Sequence, residues 1–323
     1  GGPRGGDLGN EGPEACIYFF EEDDHYNVEG ADTYNACYGG TNALLNTVNW
    51  VQSGGWNGKY GIVICSDCAI HPDPDHISGV GASSVALLVG PRAPFVMDPE
   101  RVTFIKHAWD FYRPIGWHNN DALMDISTAD SQFQEALMSC QERFCGKMGT
   151  DDLFSLFDFA CFHCNAPYHA KRNLRLMCNA ISGEDLPKEE HDERYRTLTE
   201  PGTWISAQNA TTYTCPLYAC LLSLCVSTQD NLLGSRVLCF SYGSGCAASM
   251  FGITVKGERL PLHPENVVDQ LRSRKPKTVD EALRHVQLYE DTYGRFDFTP
   301  THSGSDAAAD RQDGCFYLDR VDA

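Results

Sequence analysis

The chain has 323 residues, a formal net charge of −19, 42% hydrophobic and 21% charged side chains. That length supports one large or two moderate domains with their own cores, and the composition is that of a soluble globular chain rather than a disordered one. The acidity excludes a nucleic-acid surface, which needs clustered Lys and Arg, and no apolar run approaches the roughly 18 residues of a membrane-spanning helix.

Residues 1–18 are Gly/Pro-rich at their start and read as unstructured or foreign to the fold. "GGPRGGDLGNEGPEA" lacks the patterns of a secretory signal and of a transit peptide. Beyond Ala31, Leu44, Leu45, Val48 and Val51 recur at helical spacing and predict a helix from Tyr38 to Ser53. "KYGIVICSD" predicts a buried strand, "HPDPDHISG" a polar loop and "SSVALLVG" another strand. "ERVTFIKHAWDFYRP" reads as a strand ending near Pro114, and "SQFQEALMSCQERFCGKM" as a helix with Phe133, Leu137, Cys140 and Phe144 on one face.

A second half begins around Met148 to Asp152. It opens with a helical start and a strand at "FDFACFH". "GEDLPKEEHDERYR" reads as a charged surface linker. "TTYTCPLYACLLSLCVS" is an apolar helix, and "SRVLCFSYGSGCAASMFGITV" a strand, a Gly/Ser turn and a strand. "TVDEALRHVQLYEDTY" is an amphipathic helix and "GCFYLDRVD" a closing strand. Apolar strands interleaved with helices indicate an α/β chain.

The chain holds 15 cysteines. Most lie inside apolar runs, among them Cys65, Cys161, Cys215, Cys220, Cys225, Cys239 and Cys246, where cysteine behaves as a small hydrophobe. A disulfide framework belongs to short secreted chains, so the reading is a reducing compartment, the cytoplasm. Cys65/Cys68 and Cys161/Cys164 have the spacing of zinc knuckles, but no structural-zinc spacing links the pairs, and no metal is expected.

Cys37 stands apart. It precedes Gly39 and Gly40 at the start of the first helix, where the macrodipole favours thiolate. Glycines let a substrate approach, and free amides there hold an oxyanion. From the residues alone, a nucleophile and a buried structural thiol are equally open.

The segment "EGADTYNACYGGTNALLNTVNWVQSGGWNGKYGIVICSD" resembles the nucleophile region of hydroxymethylglutaryl-CoA synthase, a thiolase-like family. "VALLVGPRAPF", "HAWDFYRP", "FDFACFH", "FSYGSG" and "FYLDRVD" continue the resemblance in the family's order. It implies a thiolase-like α/β fold of two pseudo-related halves, 19–147 carrying the nucleophile and 148–323, with the first half incomplete at its start. It implies an acyltransferase of the mevalonate pathway and a homodimer, with acetyl-CoA and acetoacetyl-CoA as substrates and no cofactor. Cys37 would carry an acetyl thioester, whose carbanion attacks acetoacetyl-CoA before hydrolysis releases 3-hydroxy-3-methylglutaryl-CoA.

Other roles follow from the same resemblance. His163, in "CFHCN", matches the histidine that contacts the acetoacetyl group, where a neutral-pH proton carrier suits the step. By pattern alone a core histidine is the better reading. Ser244 matches a serine at the substrate, Asp67 and Asp110 match acidic residues beside the site, and Arg172 falls where a lysine meets the CoA phosphates. Thr41, Thr211 and Tyr213 are carried over as substrate-side residues. The chain also departs from the pattern. The family's asparagine is Thr211 here, one tyrosine is His71, and one CoA-facing lysine falls on Tyr168. The general-base glutamate is expected upstream of Cys37, and Glu11 and Glu14 bear no likeness to that segment. These departures leave a second expectation, a non-catalytic or impaired acyl-CoA-binding paralogue.

Overall fold

The computed structural model describes residues 26–69, 79–112, 123–257 and 264–292. In chain order the first elements are α1 (Gly39–Val51), β1 (Gly61–Cys68), β2 (Ala82–Val89), β3 (Phe95–Ile105), β4 (Phe111–Tyr112), β5 (Leu123–Met124) and α2 (Ile126–Met148). Then come β6 (Phe159–Phe162), α3 (Pro167–Ser182), α4 (Lys188–Leu198), α5 (Ser206–Asn209) and α6 (Pro216–Thr228). β7 (Arg236–Gly243), β8 (Ala247–Val255), α7 (Pro264–Arg272) and α8 (Val279–Thr292) complete the order.

The main sheet has the order β3-β8-β7-β6. β6 runs parallel to β7, while β8 is antiparallel to both β7 and β3. β3 precedes Met148 and β8 follows it, so the sheet draws strands from both sides of the boundary expected there. β7 and β8 are buried almost throughout, as strands are when helices cover both faces. Alternation along β7 separates those faces. The Phe133 ring of α2 lies 5.5 Å from Phe240 and 4.8 Å from Tyr242. Ser241 faces the other way and accepts a hydrogen bond from Thr41 of α1 at 2.7 Å.

Local chemistry sets the helix ends. The Asp125 carboxylate accepts from the Thr128 N–H at 3.0 Å to start α2, and Gly149, at φ 67°, stops it. Pro167 opens α3.

β1 and β2 form a separate antiparallel pair. Val63 and Cys65 pack with Leu44 of α1 and Tyr218 of α6, whereas Ile62, Ile64 and Leu88 are exposed. The expected buried strand is therefore covered on one face only among the described residues.

Two expectations need correction. Segment 183–196 is more than a linker: from Lys188 onward it is α4, which turns His191 and Tyr195 inward and carries an Arg194–Glu190 pair one turn apart. The strand expected from 100 to 114 stops at Ile105 and resumes only at Phe111–Tyr112. α3, directly after His163, was not foreseen. Pro114, the loop 71–78 and the closing strand at 314–322 lie outside the described residues.

Candidate active site at the start of the first helix

The turn entering α1 places Ala36 at φ 44°, a backbone that a β-carbon disfavours. The Tyr38 N–H donates to the Asn35 carbonyl and the Gly39 N–H to the Ala36 carbonyl, both at 3.0 Å, which holds Cys37 inside a tight turn. Gly243, at the end of β7, lies directly against it. A methyl group there would sit 2.7 Å from Tyr38 Cβ and 2.8 Å from the Asn35 carbonyl oxygen. Only glycine permits this approach.

His163 follows β6, and its N–H donates to the Phe240 carbonyl at 2.7 Å. β6 and β7 point the same way. His163 and the Cys37 turn therefore meet the carboxyl end of the same two strands, where α/β sheets bind their ligands.

Two carboxylates flank the turn. Asp67, near the end of β1, accepts from the Thr214 N–H at 3.0 Å and from the Thr214 hydroxyl. Asp110 is fully buried and accepts from the Tyr242 hydroxyl at 3.2 Å and the Gly245 N–H at 2.8 Å. Ser244 is half-buried in the same turn as Gly245. Tyr213, at φ 46°, stacks on Phe111 with ring centres 6.2 Å apart, beside Asp110 in the chain. The Thr211 backbone pairs with Gly79 at 3.1 Å and Gly81 at 2.9 Å. Thr41 is buried, its hydroxyl 2.8 Å from the Tyr218 hydroxyl and bonded to Ser241.

The protonation states differ from those expected at sequence level. Burial pushes the half-buried Cys37 thiol up to about 12, with Asp67 and Asp110 raising it further. The pull of the helix start toward thiolate is outweighed. Cys37 therefore rests as a thiol near neutral pH. Burial, then His169, lowers His163 to about 4, so its imidazole is neutral at pH 7. It does not titrate near neutrality, where a proton carrier was expected. Burial and Asp110 raise Tyr242 well above its ordinary value, which keeps its hydroxyl a donor.

Arg172 and Tyr168 sit apart from this group. Arg172, on α3, is held by Asp130 of α2 at 2.6 Å, and Tyr168 is exposed with its ring 3.9 Å from that of His169. Among the described residues, no group of three His, Cys, Asp or Glu side chains gathers as a metal site. Sequence reasoning passed over Tyr242 and Thr214. The available signal was the alternation along "FSYGSG", which sets Tyr242 opposite Ser241.

Two sequence profiles match the chain: Hydroxymethylglutaryl-coenzyme A synthase N terminal over residues 14–94, and its C-terminal counterpart over 184–323. Hydroxymethylglutaryl-CoA synthase erg13A of Aspergillus fumigatus is 30% identical over 344 residues, spanning 93% of this chain and 73% of that protein. The chain belongs to the hydroxymethylglutaryl-CoA synthase family.

The mitochondrial synthase of Sus scrofa is 31% identical over 354 residues, covering 94% of this chain and 68% of its own length. The fold is the family's thiolase-like one. The structure of MvaS in complex with 3-hydroxy-3-methylglutaryl coenzyme A superposes with a TM-score of 0.75 at 23% identity, covering 91% of this chain and 75% of that one. The HMG synthase of the curacin biosynthetic pathway superposes at 0.78 and 19% identity, covering 93% and 72%. The family is one of acyltransferase enzymes.

Proposed function

We propose that this chain condenses acetyl-CoA with acetoacetyl-CoA and water to give 3-hydroxy-3-methylglutaryl-CoA and CoA, through an acetyl thioester on Cys37. The observation that carries the reading is the packing of Gly243 on the Cys37 turn, at the sheet end that also bears His163. The Cys37 sulfur attacks the acetyl carbonyl, the C–S bond to CoA breaks, and the thiol proton leaves with the CoA sulfur. A base takes a methyl proton, the carbanion adds to the acetoacetyl ketone, and the alkoxide that forms takes up a proton to become the 3-hydroxyl. Neutral His163 donates a hydrogen bond to the oxygen on which charge develops. Water finally cleaves the thioester to Cys37.

Thr41, Asp67, Asp110, Thr211, Tyr213 and Ser244 belong to the substrate side of this reading. Asp67 and Asp110 order the loops around Cys37 through Thr214, Tyr242 and Gly245. The halves 19–147 and 148–323, the homodimer and a place in isoprenoid biosynthesis are parts of the same reading. A reducing, cytoplasmic compartment belongs to the same reading. No described helix is long and apolar enough to cross a membrane.

A second reading is an acyl-CoA-binding chain that does not complete the condensation. It draws on Arg172, which the family pattern directs at the CoA phosphates and which Asp130 holds instead. Incubation with both thioesters separates the two. Formation of 3-hydroxy-3-methylglutaryl-CoA supports the synthase, and binding without product supports the second reading.

A further inference from the structure

Cys164, the residue after His163, and Cys220 of α6 bring their sulfurs to 3.7 Å. Ser206, the first residue of α5, completes a triangle, 3.9 Å from Cys164 Sγ and 3.6 Å from Cys220 Sγ. Both thiols are 2% exposed, and neither has a part in the acyl transfer. No other described cysteine sulfur is hydrogen-bonded to a second one. A disulfide needs about 2.0 Å between sulfurs, so a short inward movement of two packed groups closes the gap.

We propose that Cys164 and Cys220 form a reversible oxidation site, which a hydroperoxide closes to a disulfide, and that closure disables the His163 side of the active site while Cys37 still accepts an acetyl group. The functional half of this proposal rests on the function given above. The chemistry of the pair does not.

Cys220 is the attacking sulfur. The Cys164 thiol and the Ser206 hydroxyl both lie within hydrogen-bond reach of its sulfur, and together they favour its thiolate against the opposing effect of burial. With hydrogen peroxide, attack forms an S–O bond and breaks the O–O bond, and the hydroxide that leaves takes up the proton lost by Cys220 to become water. Cys220 is then a sulfenic acid. The Cys164 sulfur attacks the Cys220 sulfur, an S–S bond forms, the S–O bond breaks, and hydroxide departs with the Cys164 proton as water. The thiol pair loses two electrons, and the peroxide is reduced to two waters.

The consequence follows from the connections of the triangle. Cys164 is peptide-bonded to His163, so drawing it toward α6 moves the imidazole. Ser206 loses its thiol partners, and α5 leads directly into Thr211 and Tyr213. Cys37 belongs to a different turn, held by Gly243.

The test treats the reduced full chain with increasing hydrogen peroxide, blocks remaining thiols with iodoacetamide, and maps peptides by mass spectrometry. We expect a Cys164–Cys220 cross-linked peptide that dithiothreitol removes and that C220S lacks. Condensation should fall on the order of 10²-fold, as for a misplaced reacting group, while acetylation of Cys37 persists. Two free, alkylated thiols at doses that oxidise other cysteines would overturn the site. A disulfide formed with condensation unchanged would overturn its effect. If the untreated chain never acetylates Cys37, the proposed function fails, and peptide mapping still decides the oxidation site.

Discussion

Gly243 lies so close to Tyr38 that a β-carbon at position 243 would stand 2.7 Å from Tyr38 Cβ. The obstacle includes backbone atoms of the Cys37 turn, which cannot rotate away. G243A should therefore displace Cys37 and destabilise the chain by about 1–3 kcal/mol, as overpacking does. Acetylation of Cys37 should fall with it. G54A, where an added methyl meets nothing within 4 Å, is the matched control. Thermal unfolding and acetylation rates on both variants check this, and an unperturbed G243A would contradict the packing.

The neutral state of Cys37 has a cause that can be edited. After burial, Asp67 is the largest influence raising the thiol. D67N should lower its pKa and speed alkylation by iodoacetamide at pH 8.5 severalfold, because each unit is tenfold in thiolate. Peptide-resolved alkylation rates report this. An unchanged rate would mean that burial alone holds the thiol.

His163 serves the second substrate in this account. H163Q should lower condensation by roughly 10²–10³-fold, as loss of an oxyanion donor does, while single-turnover acetylation of Cys37 changes far less. Equal loss of both steps would make His163 a structural residue.

The same imidazole predicts a dependence of stability on pH. Its ordinary pKa of 6.5 falls to about 4 in the folded chain. Between those values the unfolded chain binds the proton and the native chain does not, so stability drops as pH falls from 6.5 toward 4. A shift of this size corresponds to about 3 kcal/mol. His169 and His191 are lowered too and act in the same direction. Urea unfolding across this range should show the decline, and H163Q should flatten it. A flat profile for the unmodified chain would contradict the burial of a neutral histidine.

Much of this was legible in the sequence because it depended on local pattern. The helical spacing of Leu44, Leu45 and Val48 gave α1 within a residue or two, and the apolar runs around Gly243 gave β7 and β8. The charged surface of α4 hid its inward stripe of His191 and Tyr195, since a helix needs few buried residues to be anchored. At the site, residue types pointed to Cys37. Its protonation did not follow, because burial and the approach of Asp67 and Asp110 are set by distant segments. Tyr242 was missed for the same reason: its partner Asp110 lies 132 residues away in sequence.

The most direct test of the central claim is acetylation of Cys37. The chain is incubated with isotopically labelled acetyl-CoA, quenched in acid and digested, and the label is located by mass spectrometry beside a C37A variant. The account predicts a label confined to the peptide containing Cys37, absent from C37A and discharged when acetoacetyl-CoA is added. Label spread over many cysteines, or retained at full level in C37A, would contradict it.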